Sequence, residues 1–260
     1  MLRTMLGLCA AISACQNAGA EVKTEKVEYK FDGVKLIGHM YYDDATKDKR
    51  PGVLVVHEWW GLDDYAKSRA EMLAKLGYVA FACDMYGDGK VAEHPKEAGE
   101  MSGLVRKNQD VWRGRAKAAL AELSGFELTD ASRLAAIGYC FGGTTCVQLA
   151  ASGADLKAIA TFHGALPKLT ADDARAIQAK VQIHNGADDT FIPAAAIDGF
   201  KKALTEAKVP LEFVNYPGAV HSFTVKNADG KSNPGMKYNK DADERSWAAM
   251  KKLFDEVFKK

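Results

Sequence analysis

Neither sign of charge dominates this 260-residue chain: 35 Lys and Arg stand against 34 Asp and Glu, for a formal net charge of +1. With no strong field and no local basic patch, neither nucleic acid nor an anionic membrane is expected as a partner. Cysteine is scarce as well. Of the five present, Cys9 and Cys15 lie near the N-terminus, which leaves Cys83, Cys140 and Cys146. That is an odd number in a chain large enough to do without disulfide staples. The absence of a Cys-x-x-Cys pair argues against a thiol-redox protein, because nothing is placed to resolve a mixed disulfide. Low-complexity segments, internal repeats and Pro/Gly-rich linkers are also missing, so one domain is expected. Met5–Ala14 is an uncharged apolar stretch of ten residues, too short to span a bilayer.

That stretch follows Met1-Leu2-Arg3 and has the length of a secretory h-region. Ala18-Gly19-Ala20 matches a cleavage site that would leave Glu21 first, and Ile12-Ser13-Ala14-Cys15 looks like a lipobox that would place a lipid anchor on Cys15. Residues 1–20 are therefore expected to be a targeting segment. The remainder, 21–260, is expected to be an exported monomer, periplasmic or secreted.

Hydrophobic content of 47% supplies a substantial core. Two alternating stretches, Lys23–Phe31 and Val34–Tyr42, flank Asp32-Gly33, a strong hairpin signal. Short apolar runs follow at Val53–Val56, Val79–Cys83, Arg133–Ile137, Ala158–Phe162, Val181–Ile183 and Leu211–Tyr216. Helical stretches separate them, including a long one over residues 95–124. Trp247, Met250, Phe254 and Phe258 recur at helical spacing in a final helix and read as core packing. The fold class expected is α/β, a mostly parallel central sheet with an N-terminal antiparallel hairpin and helices on both faces.

One stretch organises the rest. Arg133–Ile137 runs through Gly138-Tyr139-Cys140-Phe141-Gly142-Gly143 into a helix, a strand–turn–helix with Gly-x-Cys-x-Gly-Gly at its apex. This is the pattern of a nucleophile elbow, with thiol in place of hydroxyl. The glycines two before and two after Cys140 are required where a Cβ would strike a neighbouring strand or helix. The thiol then stands at a helix N-terminus, whose dipole favours thiolate. A phosphate-cradling loop and a buried core thiol are the competing readings; the glycine spacing and the lack of a following Gly-Lys-Ser/Thr disfavour the first.

Reactive groups of such a sheet gather at the C-terminal ends of its strands. Glu58 follows the early apolar run, Asp188-Asp189 a later one, and His221 the last. Nucleophile, acid and histidine in that order is the α/β-hydrolase order. Asp189 is preferred to Asp188 because Asp189-Thr190-Phe191-Ile192-Pro193 resembles the turn that carries this fold's acid. His39, His94, His163 and His184 are read as structural, and His57-Glu58 cannot begin a zincin motif because Gly61 stands where the second histidine belongs.

Residues 27–258 resemble the dienelactone hydrolase family, the carboxymethylenebutenolidase-like α/β-hydrolases. Five pieces carry the resemblance: His57-Glu58-Trp59-Trp60-Gly61, Asp84-Met85-Tyr86, Gly138–Gly143, Asp189–Pro193 and Gly218-Ala219-Val220-His221-Ser222-Phe223. The resemblance implies a Cys140–Asp189–His221 triad, with Glu58 holding the resting thiol and helping to activate it. It also implies a small ester or lactone substrate, a thioester intermediate, and neither cofactor nor metal. The backbone N–H groups of Trp59 and Phe141 are expected to form the oxyanion hole, and Trp60, Tyr86, Phe191 and Phe223 the pocket wall. Members that open dienelactone clamp its carboxylate with two arginines; here Asp88 and Val225 stand in their places, leaving Lys90 and Lys226 as the nearest cations. A non-catalytic binding protein that keeps the hydrolase shell is the alternative from another class.

Overall fold

A computed structural model describes residues 21–259; the targeting segment and the Cys15 anchor expected above lie outside the described residues. Among the described residues, no helix is long and apolar enough to cross a membrane.

Strands β1 (Val22–Phe31) and β2 (Val34–Asp43) form the expected hairpin, turning at Asp32-Gly33, both in left-handed backbone conformation. β3 (Arg50–Val56), β4 (Val79–Cys83), β5 (Thr129–Tyr139), β6 (Ala158–Phe162), β7 (Lys180–Gly186) and β8 (Leu211–Tyr216) complete one eight-stranded sheet in the order β1-β2-β4-β3-β5-β6-β7-β8. β1–β2 and β2–β4 pair antiparallel, and every other pair is parallel.

The central strands are apolar throughout because both faces are covered. Leu54 and Val56 of β3 point into one core while Val53 and Val55 point into the other. On the second face lie α1 (Asp64–Lys75) and α7 (Lys240–Val257). On the first lie α2 (Pro95–Arg106), α3 (Gln109–Gly125), α4 (Phe141–Ala151), α5 (Ala171–Ala176) and α6 (Ala194–Glu206). The helical stretch expected over 95–124 is thus two helices. The chain breaks at Lys107-Asn108, where the Asn108 side chain accepts the N–H groups of Asp110 and Val111 and so caps α3.

Asp84 fixes the loop that follows β4. Its buried carboxylate accepts the backbone N–H groups of Ile37, Tyr86, Gly87 and Gly89 at 2.7–3.1 Å. Asp84→Asn would turn one oxygen into a donor and leave N–H groups facing N–H groups. We expect a loss of about 3 kcal/mol, read by urea denaturation, since each buried unsatisfied group costs roughly 1–3 kcal/mol.

Candidate active site

The site is built where β3, β5, β6, β7 and β8 end. At the end of β5 the backbone turns so sharply that Cys140 holds φ 51° and ψ −113°, an unusual conformation for a residue with a side chain. α4 begins at the next residue. A Cβ on Gly138 would lie 2.1 Å from the Gly142 carbonyl oxygen, and one on Gly142 would lie 2.2 Å from that of Val56. The turn therefore exists only with both glycines. Phe141 stacks on Trp112, whose indole N–H donates to Thr145 Oγ1 at 2.7 Å, so α3 braces the elbow from behind.

Cys140 is half-buried, and Cys83 and Cys146 are buried; all three are free thiols. His221 enters from the loop after β8, and its Nδ1 lies 2.8 Å from Asp189 Oδ2. The other oxygen of Asp189 accepts the N–H of Phe191, which locks the carboxylate in place. Asp188, the alternative acid, is exposed and donates its N–H to the Ala219 carbonyl. Burial opposes a charge on His221, but the hydrogen bond to Asp189 and the nearby Cys140 thiol outweigh it and raise the imidazole above the usual histidine range. Asp189 occupies Nδ1, which leaves Nε2 for the thiol.

Glu58 follows β3 and is 3% exposed. Burial pushes its carboxyl up to about 7, against the opposing pull of His221. Trp59 comes next. Phe141 is the first residue of α4, so its N–H has no acceptor within the helix and is available to a ligand.

Cys140 and His221 open into a chamber of about 280 Å³, walled by Trp59, Phe141 and Phe191, with Arg106 among its lining residues. A second chamber of about 560 Å³ holds Glu58, Trp60, Ser222 and Val225, and shares Trp59, Asn233 and Met236 with the first. Phe191 is half-exposed and meets the His221 ring edge-on. Among the described residues, no cluster of three or more His, Cys, Asp or Glu side chains could hold a metal ion.

Two wall residues differ from expectation. Phe223 is fully buried with Tyr216, Ala219 and Ala242 and reaches neither chamber. Following Ser222, which is in left-handed conformation, its side chain turns into the core instead of the pocket. Tyr86 packs its ring on His57 and Phe141 and donates its hydroxyl to the Trp59 carbonyl at 2.9 Å, so it supports the wall from behind. The cation differs too. Asp88 is turned to solvent, where Lys90 lies 3.9 Å from it, and neither Lys90 nor Lys226 lines the Cys140 chamber. Arg106, at the last turn of α2, does, with its guanidinium over the Phe141 ring at 5.4 Å. Sequence spacing carried no sign of Arg106, because its place depends on how α2 packs.

A model of the dienelactone hydrolase family matches residues 38–258. The chain belongs to that family. A dienelactone hydrolase-like promiscuous phosphotriesterase from metagenomic libraries is 40% identical, covering 92% of this chain and 99% of that one, with a TM-score of 0.88. The solved structure named m3DLH is 39% identical over 91% of this chain and 98% of its own, also with a TM-score of 0.88. Protein usf of Aquifex pyrophilus is 30% identical over 81% of this chain and 91% of its own length. Membership of the dienelactone hydrolase family makes the protein a hydrolase of small molecules.

Proposed function

We propose that this dienelactone hydrolase family member cleaves a small carboxylic ester or lactone through Cys140, with His221 and Asp189 completing the triad. The observation that carries the reading is one histidine bonded to a buried carboxylate and sharing a chamber with a thiol on a strained elbow. The thiol gives its proton to His221, a stronger base for its contact with Asp189, and sulfur attacks the carbonyl carbon. The oxyanion rests on the N–H groups of Phe141 and Trp59. His221 returns the proton to the departing alkoxide, leaving a thioester. Water, deprotonated by the same imidazole, then releases the acid and restores the thiol. Glu58 is the second base at the thiol. The 1–20 segment is, in this reading, an export signal.

The test is to mix p-nitrophenyl acetate with excess enzyme, quench in acid and map the acyl group. One equivalent of p-nitrophenolate and an acetyl group on the Cys140 peptide are expected. No acyl-protein, or acetyl groups spread over lysines, would defeat the reading. The substrate panel should include a phosphotriester, because a 40%-identical relative is named for that activity.

Arg106 gives the chamber a preference for substrates bearing a negative charge, as it is the only Lys or Arg among the described residues that line it. Arg106→Gln is expected to raise KM roughly tenfold for an ester with a free carboxylate, the worth of one hydrogen bond to a charged group. For the matching neutral ester KM should stay within about twofold, since no such bond is lost. Equal changes for the two esters would show that Arg106 contributes only wall.

A further inference from the structure

Glu58 and His163 face each other in the interior behind Cys140. Glu58 Oε1 and His163 Nδ1 are 3.7 Å apart, both are buried, and neither has a hydrogen-bond partner among the described residues. A histidine kept for packing has both nitrogens satisfied or its free one toward water. His163 is fully buried, with its free nitrogen aimed at a carboxylate. Its backbone is held at φ 42° just past β6, where its N–H donates to the His184 carbonyl at 2.9 Å. The other ring nitrogen, Nε2, lies 2.7 Å from Thr224 Oγ1, which in turn lies 2.6 Å from the Tyr65 hydroxyl. Arg69, paired with Asp243 at 2.7 Å, donates to the Thr224 carbonyl and fixes that strand of the network.

We propose that His163 is the positioning residue of Glu58: a neutral imidazole whose wire through Thr224 to Tyr65 reverses direction, so that it pairs with the carboxyl group in either protonation state.

The chemistry of the wire gives it two directions. When Glu58 is ionised, Tyr65 donates to Thr224, Thr224 donates to Nε2, and Nδ1–H donates to Oε1. When Glu58 carries a proton, it donates to Nδ1, Nε2–H donates to Thr224, and Thr224 donates to the phenol oxygen. Between the two, the Nδ1 proton passes to Oε1, Nε2 takes the Thr224 proton, Thr224 takes that of Tyr65, and the phenol regains one from solvent. Each hydroxyl both donates and accepts, so the wire from Nε2 to Tyr65 reverses without rearranging its own heavy atoms. Closing the 3.7 Å gap to hydrogen-bond length takes a shift of about an ångström. Burial, together with the charge of His221, holds His163 well below the ordinary histidine range, so it does not compete for a positive charge.

The groups facing Glu58 are Asp63, Tyr65 and Arg69 on and before α1, Tyr139 at the end of β5, His163 after β6 and His221 after β8. Of these, Asp63 opposes ionisation, while Arg69 and His221 favour it. Removing His163 takes away both pairings, but the ionised carboxylate loses the stronger, charge-assisted bond, so the carboxyl must hold its proton to higher pH. Its titration, near 7 in the intact network, should move up.

The direct test is infrared difference titration of the protonated carboxyl band, assigned by its loss in Glu58→Gln and recorded in Cys140→Ala protein. Read this way, the result does not depend on the hydrolytic reading. His163→Phe is expected to raise the midpoint by about one pH unit. Thr224→Val, of matching shape, severs the wire and leaves Nε2 without a partner in either tautomer, so it should also displace the midpoint, and it stands in if His163→Phe fails to fold. His163→Gln, which returns an N–H near Oε1, should recover much of the shift. An unmoved midpoint in both His163→Phe and Thr224→Val overturns the proposal.

The activity arm rests on Glu58 acting at the thiol. There, the acid limb of kcat/KM should shift upward with the infrared midpoint, and His163→Phe should cost nothing further in a Glu58→Gln background. A uniform fall at every pH would mean that His163 only packs.

Discussion

Replacing Cys140 with alanine is expected to lower kcat/KM for p-nitrophenyl acetate by on the order of 10⁴-fold, leaving only what the oxyanion N–H groups and binding contribute. The size of the loss follows from the number of steps the sulfur serves. In the proposed mechanism it is the attacking atom, the acyl carrier and the source of the proton that His221 hands to the leaving group. Cys140→Ser should recover little, because a hydroxyl is far harder to deprotonate. Stability should hardly change in either variant. The strained φ of 51° belongs to the backbone of residue 140 and is borne equally by alanine, serine and cysteine. Thermal unfolding within a few degrees of wild type, with activity gone, separates chemistry from folding. Substantial turnover in Cys140→Ala would move the nucleophile elsewhere and sink the proposed function.

The parts of this site that could be read from the sequence are those fixed by local sterics. Gly138 and Gly142 bracket Cys140 because nothing larger fits, and that requirement leaves a spacing in the sequence. The four-residue run Val53–Val56 marks a strand covered on both faces, and the order of Cys140, Asp189 and His221 follows the order of strand ends. What could not be read depends on long-range packing. Arg106 reaches the chamber because α2 stops at Lys107-Asn108 and swings its last turn toward Phe141. Phe223 follows His221 by two residues yet lies in the core, since left-handed Ser222 reverses the chain between them. His163 reads as one more structural histidine until β6 is seen to end beside Glu58. α5 passed unnoticed because six residues make little periodic signal, although Thr170 and Asp173 form a capping box that the sequence does display.

Gly142→Ala offers a contest between local and tertiary preference, and the tertiary one should win by a wide margin. Position 142 is the second residue of α4, and alanine exceeds glycine in helix propensity by about 1 kcal/mol. Judged by propensity alone the variant gains. Yet the new methyl would sit 2.2 Å from the Val56 carbonyl oxygen and 2.6 Å from that of His57. Both obstacles are backbone at the end of β3, in the centre of the sheet, so no side chain can swing aside. Relief requires α4 to lift from β3, which also shifts the Phe141 N–H and the turn that aims Cys140. We expect a net loss of about 3 kcal/mol or more, overpacking against a rigid neighbour. In a chain of this size that lowers Tm by roughly 10 °C. Gly199→Ala supplies the control. It lies within α6 with nothing inside 4 Å of the added methyl, so the same substitution should stabilise by about 0.5–1 kcal/mol. Opposite signs for one chemical change would assign the Gly142 requirement to the contact with β3. A Gly142→Ala protein as stable as wild type would mean that the elbow is looser than its geometry states, and that Cys140 is not held where the chemistry needs it.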